Sequence, residues 1–134
     1  MKKYRLFIVT LITVLVGYWY VNFDPRVNAL NEMLLQDTEI AQYPYQFKVL
    51  KLENGTAVLS SPRSSKVSVL KFLSIIKPEL PLHNPDNPDV IAAQKEMAKI
   101  QQKAKKLVLA QSDIHKITWT LDKAWFADYG ILID

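Results

Sequence analysis

Residues 46–61, QFKVLKLENGTAVLSS, decide the fold. Two short β-rich runs, Gln46–Leu52 and Thr56–Ser61, flank Glu53-Asn54-Gly55-Thr56. An Asn-Gly pair between such runs marks a tight hairpin, because both residues accept positive φ at low cost. An antiparallel hairpin is therefore expected here, and the helical patterns on either side of it make the body α+β.

Upstream, Tyr43-Pro44-Tyr45 breaks the pattern of a preceding helical segment. Asp24-Pro25 opens it, with Asp24 as N-cap and Pro25 at the first helical position, where a missing N–H costs nothing. Val27, Leu30, Met33 and Leu34 then recur at helical spacing to about Gln36. Before them, Leu6–Phe23 (LFIVTLITVLVGYWYVNF) contains no charged residue. Eighteen helical residues reach about 27 Å, close to the hydrocarbon thickness of a bilayer. The run ends in Tyr18, Trp19, Tyr20 and Phe23 and not in the small residues a signal peptidase requires, so an uncleaved anchor is expected. Aromatic rings of this kind suit the membrane interface, and Tyr18, Trp19 and Tyr20 are assigned there. Lys2, Lys3 and Arg5 precede the span, and only Arg26 follows closely, opposed by Asp24. The positive-inside rule then puts residues 1–5 in the cytoplasm, 6–23 in a bacterial inner membrane and 24–134 in the periplasm.

Downstream, Ser60–Ser65 reads as a turn and helix cap, followed by a well-buried helix carrying Val67, Leu70, Phe72, Leu73, Ile75 and Ile76 until Pro78 stops it. Four prolines between Pro78 and Pro88 make an irregular connection. Asn87-Pro88 opens the longest helix, to about Ala110, with one apolar stripe of Val90, Ala93, Met97, Ile100, Ala104 and Leu107. That stripe is expected to cover the hairpin and the last strand in preference to a second copy of the chain. Ile114–Leu121 alternates as a half-buried strand, with Ile117, Trp119 and Leu121 on one side. Asp122 caps a last helical turn that Gly130 ends. The order is thus α-β-β-α-α-β-α after the anchor, with about three strands and three or four helices.

Composition removes several classes of function. The net charge of +4 owes three of its 17 basic residues to Lys2, Lys3 and Arg5, which leaves 14 against 13 acidic residues beyond position 23. A body with net charge +1 lacks the basic surface that nucleic-acid binding needs. With no cysteine, and with His83 and His115 far apart, a thiolate nucleophile or a Cys/His metal centre is not expected. No glycine-rich phosphate loop is present, and no cofactor is expected. Ser68-x-x-Lys71 fits the serine–lysine pattern of penicillin-recognising enzymes, but no K-T-G follows and Ser112-Asp113-Ile114 lacks the asparagine of S-D-N. Asp86 and Asp89 are read as helix-start carboxylates and not as a metal pair. No catalytic residue is assigned. The surface that stands out is the row Lys95, Lys99, Lys103 and Lys106 on one face of the long helix, which on a tethered domain can meet anionic phospholipid or an envelope protein.

Helix Asp24–Leu30, hairpin Leu52–Leu59, and Ala104–Val108 leading through Asp113-Ile114 to Ile117–Leu121 together resemble the BON domain, an α-β-β-α-β module of bacterial envelope proteins. The resemblance covers about half of the body. Where BON-like sequences place glycines, this chain has Ser60-Ser61 and Ser112-Asp113, and it adds a helix and the proline-rich connection between 66 and 88. What the resemblance implies is an envelope location and a binding role without catalysis. The expected function is a membrane-anchored interaction module, with an accessory subunit of a larger membrane complex as the alternative and a small enzyme with no recognisable motif ranked third.

Overall fold

A computed structural model describes residues 2–134. Its elements are α1 (Lys2–Asn22), α2 (Pro25–Gln36), α3 (Thr38–Gln42), β1 (Val49–Glu53), β2 (Thr56–Ser61), α4 (Val69–Ile76), α5 (Pro88–Leu109), β3 (Lys116–Leu121) and α6 (Lys123–Asp128). The fold is α+β, with the expected order of elements plus one short helix. Asp24 caps α2 by accepting from the amides of Arg26 and Val27, and Pro25 fills its first turn. Asn87 does the same for α5. Asn54 (φ 50°) and Gly55 (φ 81°) form the hairpin turn in the positive-φ conformation that the Asn-Gly pair foretold.

The sheet has the order β1-β2-β3, antiparallel between β1 and β2 and parallel between β2 and β3. Parallel neighbours need a crossover, and α4 and α5 with the proline-rich segment supply it. Helices α2 and α5 touch each other and pack on β1 and β3 respectively, so both lie on one face of the sheet. Val49, Ala57 and Leu59 from that face meet Leu30, Leu34, Met97, Ile100, Ala104 and Val108 in a single core. The same core continues as an aromatic group at the end where β2 and β3 finish: Tyr45 lies edge-on to Phe72 and Trp125, and Trp125 to Phe126. The Tyr45 hydroxyl donates to Asp122, whose carboxylate also caps α6 at Trp125.

Several boundaries differ from the sequence reading: β3 begins at Lys116 and not at Ile114, and α4 begins at Val69, which leaves Val67 before the helix. Two further differences have a local cause. Asp37 ends α2 and at once caps α3 by accepting from the Ile40 amide, which the helical periodicity did not separate. Strand β1 starts at Val49 and not at Gln46: the Lys48 N–H donates to the Ser60 hydroxyl in place of a ladder carbonyl, and the Gln46 side-chain carboxamide donates to the carbonyls of Ile40 and Ala41 in α3.

Candidate functional site

Helix α1 is long and apolar enough to cross a membrane, and no part of that stretch is buried against the rest of the chain. Tyr18, Trp19 and Tyr20, which the sequence reading assigns to a membrane interface, are 71%, 63% and 75% exposed, and the Trp19 ring stacks on Phe23 at 5.0 Å. Only Phe23 and Asp24 separate α1 from α2. The start of α2 is fixed to the end of α5: the Arg26 guanidinium donates to both carboxylate oxygens of Asp113 (2.9 and 2.7 Å) and to Gln111 at 3.3 Å. The C-terminal end of α5 therefore sits beside the joint to α1, and the helix runs away from it.

That direction reorders the lysine row. Lys106 is three residues from the end of α5, about 5 Å along the axis, whereas Lys95 is about 21 Å away. Electrostatic attraction fades over a Debye length of about 8 Å, so of the two lysines only Lys106 lies within reach of a charge at the joint to α1. The middle of the row is also neutralised. Lys103 Nζ lies 3.0 Å from Asp37 and 3.4 Å from Glu39, and Lys99 Nζ lies 3.4 Å from Glu39. Hydrogen bonds from Lys103 hold both carboxyls below the usual carboxylate range, and Asp37 in turn raises the Lys103 ammonium. Among the described residues, Lys95 and Lys106 have no ion-pair partner.

Between α3 and α5 runs an open cleft of about 640 Å³. Tyr43, Pro44, Ala92 and Ile100 give it an apolar floor, while Glu39, Glu96, Lys95 and Lys99 line the rim. Burial pushes the Tyr43 hydroxyl well above its ordinary range, so it stays a neutral hydrogen-bonding group. A charge-balanced rim around an apolar floor suits an amphipathic polypeptide segment better than an anionic headgroup. The sequence located the lysines but not the cleft, since α3 was not foreseen.

The residues weighed for chemistry have local duties. The Ser68 hydroxyl is the N-cap of α4, accepting from the Lys71 amide at 3.2 Å, so the serine–lysine motif is used as a cap. Asp89 lies in the first turn of α5. His83 is exposed in the proline-rich segment. The His115 ring packs against Gly55 at the hairpin turn. No group of three or more His, Cys, Asp or Glu able to hold a metal occurs among the described residues. No protein-family model, curated protein or solved structure matches the chain.

Proposed function

We propose that the chain is a non-enzymatic interaction module of a bacterial cell envelope, held in the inner membrane by α1, with its N-terminus cytoplasmic and its α+β domain periplasmic. The domain binds a partner protein in the α3–α5 cleft. The observation that carries this reading is the cleft itself, whose apolar floor is rimmed by two glutamates, Glu39 and Glu96, and two lysines, Lys95 and Lys99, with Lys99 paired to Glu39. The exposed apolar surface of α1 and its two-residue joint to α2 support an anchored domain working close to the bilayer. The BON-like order of elements fits the same setting, and a stoichiometric complex would make the chain an accessory subunit.

The test is a photo-reactive residue placed at Ala92 of the full-length chain in intact cells. A discrete adduct with one envelope protein is expected, absent when the same group replaces Leu35, which is exposed outside the cleft. Equal labelling at both positions, or none at either, overturns the reading. A second reading, headgroup contact by Lys106, is favoured by that residue's place near the anchored end. It requires Lys106→Glu, and not Lys95→Glu, to reduce binding to anionic vesicles.

A further inference from the structure

Four segments of the domain end at one level beside the joint to α1. Arg26, in the first turn of α2, is bonded to Asp113 just past the end of α5. Two residues on, the His115 N–H donates to the Gly55 carbonyl in the hairpin turn at 2.8 Å, and the Lys116 N–H at the start of β3 donates to the same carbonyl at 3.3 Å. The start of α2, the hairpin turn, the end of α5 and the start of β3 thus share one surface, the base of the domain. Its charges are partly paired, Arg26 with Asp113 at 2.7 Å and Lys51 with Glu53 at 3.5 Å, and the Asp24 carboxylate caps α2. Lys105, Lys106 and Lys116 are left in no ion pair among the described residues, and Lys106 and Lys116 are exposed. These five basic residues against three carboxylates give the base a charge of +2, whereas the other nine basic and ten acidic residues of 24–134 leave −1 elsewhere. The negative end of the α5 dipole accounts for a lysine in its last turn, but Lys116 opens a strand and offsets no such dipole.

We infer that this base is a basic foot that rests on the anionic phospholipid headgroups of the bilayer spanned by α1. The inference depends on anchoring by α1 and is independent of the cleft. The anchor decides what the surface faces. A joint of two residues, Phe23 and Asp24, reaches at most about 7 Å, which is shorter than the Debye length of about 8 Å, so the base stays within the field of the headgroups. Arg26 and Lys51 are neutralised within the domain, and the three unpaired ammonium groups are the ones free to meet lipid phosphate. An ammonium is attracted to an anionic leaflet as a point charge and needs no shaped pocket, which fits exposed lysines on a convex end. Contact at the foot keeps the domain from swivelling about its joint and stands α5 on its C-terminal end. The cleft, lined along α5 from Ala92 to Lys99, is then carried about 15–25 Å along the helix from the headgroups, a height suited to a partner segment outside the membrane.

The natural chain has no cysteine, so a single fluorophore can be placed on the full-length chain at Ser112→Cys, on the foot, or at Asp86→Cys, beyond the far end of α5. Each labelled chain is reconstituted in phosphatidylglycerol-containing vesicles and in phosphatidylcholine vesicles, both carrying a lipid with a spin-labelled headgroup as quencher. Quenching at Ser112 should be about threefold stronger in the anionic vesicles than in the neutral ones, and the gain should vanish in about 0.5 M salt, while Asp86 shows no gain. Lys105→Glu/Lys106→Glu/Lys116→Glu should abolish the gain. Lys48→Glu/Lys71→Glu/Lys123→Glu, an equal change of charge on exposed lysines away from the foot, should keep it. Near-ultraviolet circular dichroism checks that both variants fold, and the lipid and salt series on the natural lysines decides the outcome without them. A chain retained in the vesicles whose Ser112 quenching is indifferent to lipid charge and salt, or falls equally in both triple variants, overturns the foot and leaves the anchor standing. A chain retained by neither kind of vesicle overturns both.

Discussion

Replacing Asn31 with alanine should unlatch β1 from α2. The amide side chain donates to the Val49 carbonyl at 3.0 Å and accepts from the Val49 N–H at 2.7 Å, two bonds that only a carboxamide can make together. Val49 is 2% exposed, so water does not replace the lost partner freely. Leaving a buried backbone group unpaired costs about 1–3 kcal/mol, and two such groups put the loss at about 2–6 kcal/mol, a large part of a stability of about 5–15 kcal/mol. For a domain of this size that is a fall in Tm of roughly 10–30 °C. Asn31→Asp should cost at least as much, because it keeps the acceptor while setting an oxygen against the Val49 carbonyl. The assay is thermal unfolding of the full-length chain in mild detergent, followed by near-ultraviolet circular dichroism. That signal reports the packed aromatic cluster around Tyr45 and Trp125 and is insensitive to α1 remaining helical. Leu35→Ala, at a residue 55% exposed, serves as the control and should stay within about 0.5 kcal/mol of the natural chain. An Asn31→Ala loss no larger than this control refutes the view that side-chain capping secures the β1 edge.

Further outcomes follow from the same contacts. A methyl group on Gly55 would stand 2.6 Å from the His115 ring at a φ of +81°, so Gly55→Ala should destabilise by about 2 kcal/mol in chemical denaturation. Adding His115→Ala should recover the steric share and leave the backbone share. Tyr45→Phe removes the hydroxyl donor to Asp122 and should cost about 2 kcal/mol by the same measurement while keeping the aromatic packing. The stabilisation from Asp37 and Glu39 is present above their ordinary pKa of about 4 and is lost as pH falls through their lowered native values. The contribution of Lys103, whose ammonium is raised, is present below about 10.4 and is lost as pH rises through its native value. Lys103→Ala should thus lower Tm at neutral pH, and the gap should close in scans taken at about pH 2.5.

The elements of this fold that rest on local chemistry were legible in the sequence. Asp24-Pro25, Asn87-Pro88 and Asp122 each start a helix where a cap satisfies otherwise orphaned amides, and Asn54-Gly55 fixes the hairpin. The alternation of Ile117, Trp119 and Leu121 gave the strand but not its partner, since pairing across the crossover is set by packing and not by neighbours in sequence. The lysine row was legible as a periodicity, yet its partners Asp37 and Glu39 are brought over by α3, a helix of five residues that is too short to leave a periodic trace. The direction of α5 relative to the anchor, which separates Lys106 from Lys95, depends on the contact of Arg26 with Asp113 across 87 positions.

The most direct measurement is the intact mass of the chain recovered from native membranes after washing in high salt and then alkaline carbonate. A species that keeps α1 and stays in the pellet through both washes is the expected result. A chain that begins beyond Asn22, or one released by salt, contradicts an anchored module.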